Sequence, residues 1–354
     1  MQRFVGAASA AVAALATLVA MSSARAASLE QVAWAVADQP TTASYTPSVR
    51  YNSTGGTVTV THSSTGKYAV TLTGFDKGDH DDMQVTALGT TGYCNSAGWS
   101  SGKSPDLGVD CYAPGGILTD MPFTILYQKR SGSTGSAAKG VAFLWANEPT
   151  GASYTPEKAY QYNSTGGTNT VTRSAMGTYT AHLPGLTKSG GHVQVTAYGS
   201  ASGRCVVKSW KASGSGTNVQ IACVDATGNP ADEDYDLAYS IGMTMGQVDT
   251  NTPGLYVLAG KSTARQYTVS APDAFNGFGG PTKIKISRTD TGEYSVTLPS
   301  GTHKSLVAFV TGYDSGNEFC NVGSIAASKV TVSCFEADGT PADNDFDLTV
   351  QARK

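Results

Sequence analysis

Apolar and polar residues alternate along this chain in short runs, as in Thr57-Val-Thr-Val-Thr61, Tyr68-Ala-Val-Thr-Leu72 and Tyr294-Ser-Val-Thr-Leu298. A period of two puts one side-chain set on each face of an extended strand, so these runs predict β-structure. No stretch carries the 3.6-residue period of an amphipathic helix. In the first third of the chain the pattern predicts seven strands, over 32–36, 57–62, 67–72, 83–88, 93–97, 107–112 and 123–128. Seven short strands in about one hundred residues suit a two-layer sandwich of immunoglobulin size.

The pattern then recurs. Tyr-Asn-Ser-Thr-Gly-Gly at 51–56 returns at 162–167, and Phe-Asn-Gly-Phe-Gly-Gly at 275–280 is a degraded third copy. A Gly-x-Tyr step follows each time (Gly66/Tyr68, Gly177/Tyr179, Gly292/Tyr294), then Val-Thr-Ala or Val-Thr-Gly, then two cysteines. A period near one hundred residues is too long for a solenoid and implies an array of similar domains. The expected fold is therefore all-β: three tandem immunoglobulin-size β-sandwich domains at 29–130, 141–241 and 254–354, each with one internal disulfide. Between them, 131–140, rich in Gly and Ser, and 242–253, closed by Asn251-Thr252-Pro253, read as linkers. A flexible ten-residue linker spans about 17 Å, so neighbouring domains are expected to touch without rigid docking.

Six cysteines allow fifteen pairings, which repetition reduces to one: Cys94–Cys111, Cys205–Cys223 and Cys320–Cys334. Closing loops of this size is worth on the order of 3 kcal/mol each through the unfolded state. Zinc binding by paired thiols is the alternative, but the spacing lacks Cys-x-x-Cys and the histidines do not repeat. Export fits the disulfides. Residues 4–21 are almost wholly Ala, Val, Leu and similar residues, and Ala24-Arg-Ala26 supplies a cleavage site, so 1–26 is expected to be a signal peptide. No later stretch is apolar enough to cross a bilayer as a helix. The expected location is secreted, periplasmic or cell-surface.

Charge narrows the partners. The net formal charge is -3, and removal of Arg3 and Arg25 leaves 22 basic against 27 acidic residues. The basic residues are scattered, so nucleic acid is not an expected partner. The expected partner is an unidentified surface ligand, protein or glycan, and no cofactor, metal or catalytic set is assigned.

Residues shared by sister copies report what the common fold needs. Trp99, Trp210 and Ile325 stand five residues after the first cysteine, Asp120, Asp232 and Asp343 nine after the second, and Phe123, Tyr235 and Phe346 twelve after it. Aromatics here, with Trp34, Trp145 and Tyr256 in the first strand, are expected in cores. Candidate chemistry is sparse. Gly98-Trp-Ser-Ser-Gly102 matches the serine-hydrolase elbow around Ser100 but lies between two predicted strands with no helix after it. His62, His80, His182, His192 and His303 fall at unmatched positions, and only His80, within Asp79-His-Asp-Asp82, has acidic neighbours; a solvated turn explains that cluster. Asp232, Asp234 and Asp236, and Asp343, Asp345 and Asp347, are spaced to share one strand face, read as a charged outer face that discourages edge pairing rather than a calcium site. Asn52 and Asn163 open glycosylation sequons that more simply make Asx turns.

The string Trp-Ala-x-x-Pro-Thr-x-Ala-Ser-Tyr-Thr-Pro, with the Tyr-Asn-Ser-Thr-Gly-Gly turn, Val-Gln-Val-Thr-Ala-Tyr-Gly199 and the segment from Cys223 to Asp232, resembles a repeat of uncharacterised exported bacterial proteins. That resemblance implies no activity. The expectation is an exported, non-enzymatic tandem-repeat β protein acting in binding, adhesion or envelope structure. The alternatives are a secreted hydrolase with its site in one repeat, or an inhibitor module using a disulfide-held loop such as 96–110.

Overall fold

The computed structural model describes residues 30–77, 80–130, 140–249, 251–299, 305–314 and 317–353; the expected signal peptide and residues 131–139 of the first expected linker lie outside them. The protein is all-β, and the described residues contain one short 3-10 turn, Lys158–Tyr160. The seven strands expected in the first repeat are Glu30–Ala37, Val58–Ser64, Lys67–Leu72, Asp81–Ala87, Tyr93–Trp99, Asp106–Ala113 and Phe123–Arg130. Short strands Ser44–Tyr45, Arg50–Asn52 and Ile117–Leu118 accompany them.

The strands of each repeat fall into two groups with an apolar cluster between them, and the groups belong to four sheets of 4, 10, 9 and 5 strands. In the first, Arg50–Asn52, Glu30–Ala37, Phe123–Arg130 and Asp81–Ala87 form an antiparallel group of four. Ser44–Tyr45, Val58–Ser64, Lys67–Leu72, Asp106–Ala113 and Tyr93–Trp99 form a group of five. Between the groups lie Ala35, Val60, Val70, Val85, Val109, Phe123 and Tyr127, all buried. Equivalent clusters surround Tyr179, Ile221 and Leu237 in the second repeat and Ile286, Val332 and Leu348 in the third. The disulfides Cys94–Cys111, Cys205–Cys223 and Cys320–Cys334 join directly opposed residues of neighbouring strands.

The repeats do not hang as separate beads. The four-strand group of the second repeat continues into the five-strand group of the first through a parallel bridge, Tyr198 to Ser96. The same junction recurs between the third and second repeats, Tyr313 to Val207. Leu88 of the first repeat then bridges in parallel to Val322 of the third and closes the ring. Ser96, Val207 and Val322 each stand two residues after the first cysteine, so the three junctions are equivalent. At each, a backbone N–H donates to the bridged carbonyl: Gly199 to Ser96 at 2.7 Å, Asp314 to Val207 at 3.0 Å, Gly89 to Val322 at 2.8 Å. A register shift follows at the same place in all three strands, between Ser96 and Gly98, Val207 and Ser209, and Val322 and Ser324. Such bulges bend a strand and end its ladder, so each junction is a short splice and not an extended sheet.

At the centre of the ring, the second faces of the four-strand groups meet. Trp34, Leu126, Phe143, Ala238, Val307 and Phe309 form a buried cluster drawn from all three repeats. Two expectations are corrected here. The segment 242–253 is not a free linker: Met243, Thr244, Met245 and Thr252 are buried, Met245 joins the central cluster, and its carbonyl accepts from Arg130 Nη2 at 2.9 Å. The repeats are likewise not loosely tethered, because the faces they bury against one another would otherwise meet water.

Candidate functional site

The repeated polar residues build a clasp inside each repeat. Gly66, Gly177 and Gly292 have φ of 69°, 64° and 69°, and a Cβ there would strike the carbonyl of Cys111, Cys223 or Cys334 at 2.6, 2.3 or 2.5 Å. Only glycine fits such a position. The glycine N–H donates to the aspartate nine residues after that cysteine, Asp120, Asp232 or Asp343, at 2.6, 2.9 and 2.8 Å. The tyrosine two residues later donates its hydroxyl to the same carboxylate. A base on the preceding strand completes it: His62 at 2.9 Å, Arg173 at 2.7 Å, Arg288 at 2.8 Å. The Arg173 guanidinium holds the Asp232 carboxyl down at about 2, and Arg288 lowers Asp343 likewise. The clasp pins a hairpin to the segment that leads into the last strand of each repeat.

The Asx turns are present as expected. Asn52 and Asn163 Oδ1 accept from Thr54 and Thr165 N–H at 3.0 Å, while their amides donate to the carbonyls of Thr73 and Pro184. Asn276 keeps the turn with Phe278 although the third copy has lost the sequon.

The aromatics after the first cysteine do more than cover their own cores. Trp99 reaches from the first repeat into the second, with ring centroids 6.2 Å from Trp145, 5.7 Å from Tyr160 and 5.6 Å from Tyr198. Trp210 meets Tyr313 of the third repeat at 5.1 Å. Ile325 packs toward the first repeat in the central cluster. Trp34 and Tyr256 are buried as expected, on the face toward the ring centre or a neighbouring repeat: Trp34 lies in the central cluster, and Tyr256 stacks 5.5 Å from His192.

Buried charge concentrates at the same seams. Between the first and second repeats lie Asp81, Asp82 and Asp236, each almost wholly buried. Asp81 accepts from Trp99 Nε1 at 3.0 Å and from the Ser101 and Tyr127 hydroxyls, each at 2.6 Å. Asp82 accepts from Gln128 at 2.8 Å and Gln84 at 3.1 Å, yet burial pushes its carboxyl up to about 7. Burial, with Asp82 nearby, raises Asp236 well above the ordinary carboxylate range. Between the second and third repeats, Asp347 accepts from Val193 N–H at 2.7 Å and meets His192 Nδ1 at 3.0 Å, with both side chains fully buried.

At one end of the ring the residues preceding the first cysteine converge. Arg204 of the second repeat sits between Tyr93 of the first and Phe319 of the third, its guanidinium carbon 4.7 and 4.8 Å from the ring centroids. Burial lowers its pKa, while the two π-faces offset part of its desolvation. Beside it is a cavity of about 50 Å³ walled by equivalent residues of all three repeats, including Thr86, Thr196 and Thr311. Asn95 caps the carbonyls of Ala201 and Gly203 in the second repeat, and Asn321 those of Thr90 and Gly92 in the first; the equivalent in the second repeat is Val206, which has no amide to offer.

The sequence-derived catalytic candidates stay apart. Ser100 Oγ accepts from Asp106 N–H at 3.0 Å in a hairpin, and the four described histidines bond elsewhere: His62 to Asp120, His80 to the Gln161 carbonyl, His182 to Asn218, His192 to Asp347. The acidic run beside His80 is not a solvated turn, since Asp81 and Asp82 are buried and His80 docks on the second repeat; Asp79 lies outside the described residues. Nor do Asp236 and Asp347 form an outer face: both are fully buried on interior strands. Among the described residues no group of three or more His, Cys, Asp or Glu is placed to hold a metal, and no helix is long and apolar enough to cross a membrane. Comparison with protein-family models, curated proteins and solved structures finds no match.

Proposed function

We propose that this is an exported, non-enzymatic β protein of three immunoglobulin-size sandwich units closed into one ring, acting as a binding, adhesion or envelope-associated structural module. One observation carries this. The pair that most resembles catalytic machinery, His192 with Asp347, is fully buried in a seam where Tyr256 covers the imidazole, out of reach of any substrate. The buried ionisable groups hold repeats together, which leaves recognition to the exposed loops where the copies differ. Export is supported by the Ala-rich leader and the three disulfides. A closed ring fixes the spacing of three loop sets, so multivalent contact would depend on ligand spacing rather than linker reach. The test is the mature protein on glycan and cell-envelope arrays, alongside a broad hydrolase-substrate panel. Array binding without turnover is expected; robust turnover lost in His80→Ala or Ser100→Ala contradicts the proposal.

A further inference from the structure

The three seams share a backbone frame but not a filling. At the first, Trp99, Tyr160 and Tyr198 close around Trp145. Repeat alignment places Ile325, Val49 and Leu88 at the positions of Trp99, Tyr160 and Tyr198 in the seam that closes the ring. Three rings are thus replaced by three aliphatic side chains. The frame does not shrink to compensate, because the Leu88–Val322 bridge, the 2.8 Å Gly89 hydrogen bond and the neighbouring bulge all persist. What remains is an open cleft of about 470 Å³, lined chiefly by Val36, Val49, Leu88, Leu306 and Ile325, with Ser305 and Ser324 also in its wall.

We infer that this cleft binds a small planar aromatic ligand, of indole or phenol type, that takes the place of the rings present at the sister seam. The occupant is defined from within the chain: the cleft continues an interface whose filled form is seen between the first and second repeats. Its walls are mostly apolar, with Ser305 and Ser324 as the polar members, and no charged residue lines it, which favours a neutral ring with at most one polar group. A ligand here would bridge the first and third repeats at the junction that no peptide link spans. The cleft is separate from the loops assigned to recognition above, so absence of array binding would sink that proposal and leave this one standing.

Indole and 4-methylphenol are the probes, with cyclohexanol as the aliphatic control. Titration of the mature protein, followed by methyl resonances of Val49, Leu88 and Ile325, is expected to give saturable shifts with Kd of about 1 mM or tighter, and at least tenfold weaker response to cyclohexanol. Ile325→Trp, which restores the sister-seam residue, is expected to weaken indole binding at least tenfold while the dispersed methyl spectrum is retained. The inference is overturned by absence of saturable shifts at these methyls in the folded wild-type protein, by equal binding of cyclohexanol, or by undiminished binding in a folded Ile325→Trp variant. Should that variant not fold, the wild-type titration decides alone.

Discussion

The seam between the first two repeats and the seam that closes the ring have the same hydrogen bond, the same bulge and opposite chemistry. The first is packed with Trp99, Trp145, Tyr160 and Tyr198, and the chain itself runs between the repeats it joins. The closing seam joins the two ends of the described chain and uses Leu88, Val49 and Ile325. Backbone geometry is thus the constant of the ring, while side-chain volume sets how firmly each junction is held. Tight packing is concentrated where the chain is continuous, and the junction without a covalent link is the one left open.

The largest expected effect lies at the second seam. Asp347→Ala would leave His192 and the Val193 N–H without their carboxylate in a dry site, at a cost of about 3–5 kcal/mol in chemical denaturation; a loss below about 1 kcal/mol would mean the pair does not hold the seam. Next is the aromatic-aliphatic contrast itself. Trp99→Ala removes contacts to three rings and the donor to Asp81, and is expected to cost about 2–3 kcal/mol; Ile325→Ala, beside an open cleft, about 1 kcal/mol. Equal losses would erase the distinction between the seams.

Smaller effects follow from pH. Asp82 titrates near 7 in the folded protein against an ordinary value of 3.8. A raised carboxyl stabilises most below its unfolded pKa, and that stabilisation is lost as pH rises through about 7. The first seam should therefore weaken as pH rises from about 4 to about 7, with little further change above that, and Asp82→Asn should flatten that part of the profile of Tm against pH. The smallest effect is of opposite sign. Asp232, held at about 2, stabilises above its unfolded value and loses this as pH falls from about 4 toward 2; Asp232→Asn should remove that acid-side slope.

Much of this was legible in the sequence because sister copies expose local constraint. The seven strands, the three disulfides, the Asx turn at Asn52 and Asn163 and the repeated Gly, Tyr and Asp of the clasp all depend on residues close in sequence or opposed in one repeat. The ring was not. A period of two marks a strand's two faces but cannot say whether the second meets water or another repeat, so Asp236 and Asp347 read as solvated when both are buried. Composition misled at 242–253 for a related reason: Thr and Gly suggest a linker, yet Met243 and Met245 mark burial against neighbours. One signal could have pointed to the seams. Leu88 and Ile325 are both aliphatic where their counterparts Tyr198 with Trp99, and Tyr313 with Trp210, are aromatic, and such matched exchange marks partners across an interface.

The central claim is that three repeats fold as one body. Differential scanning calorimetry of the mature chain, disulfides intact, tests it most directly, through the ratio of calorimetric to van't Hoff enthalpy. A single transition with a ratio near one is the predicted result. Three separable transitions, or a ratio near three, would show that the repeats unfold independently and would contradict the ring.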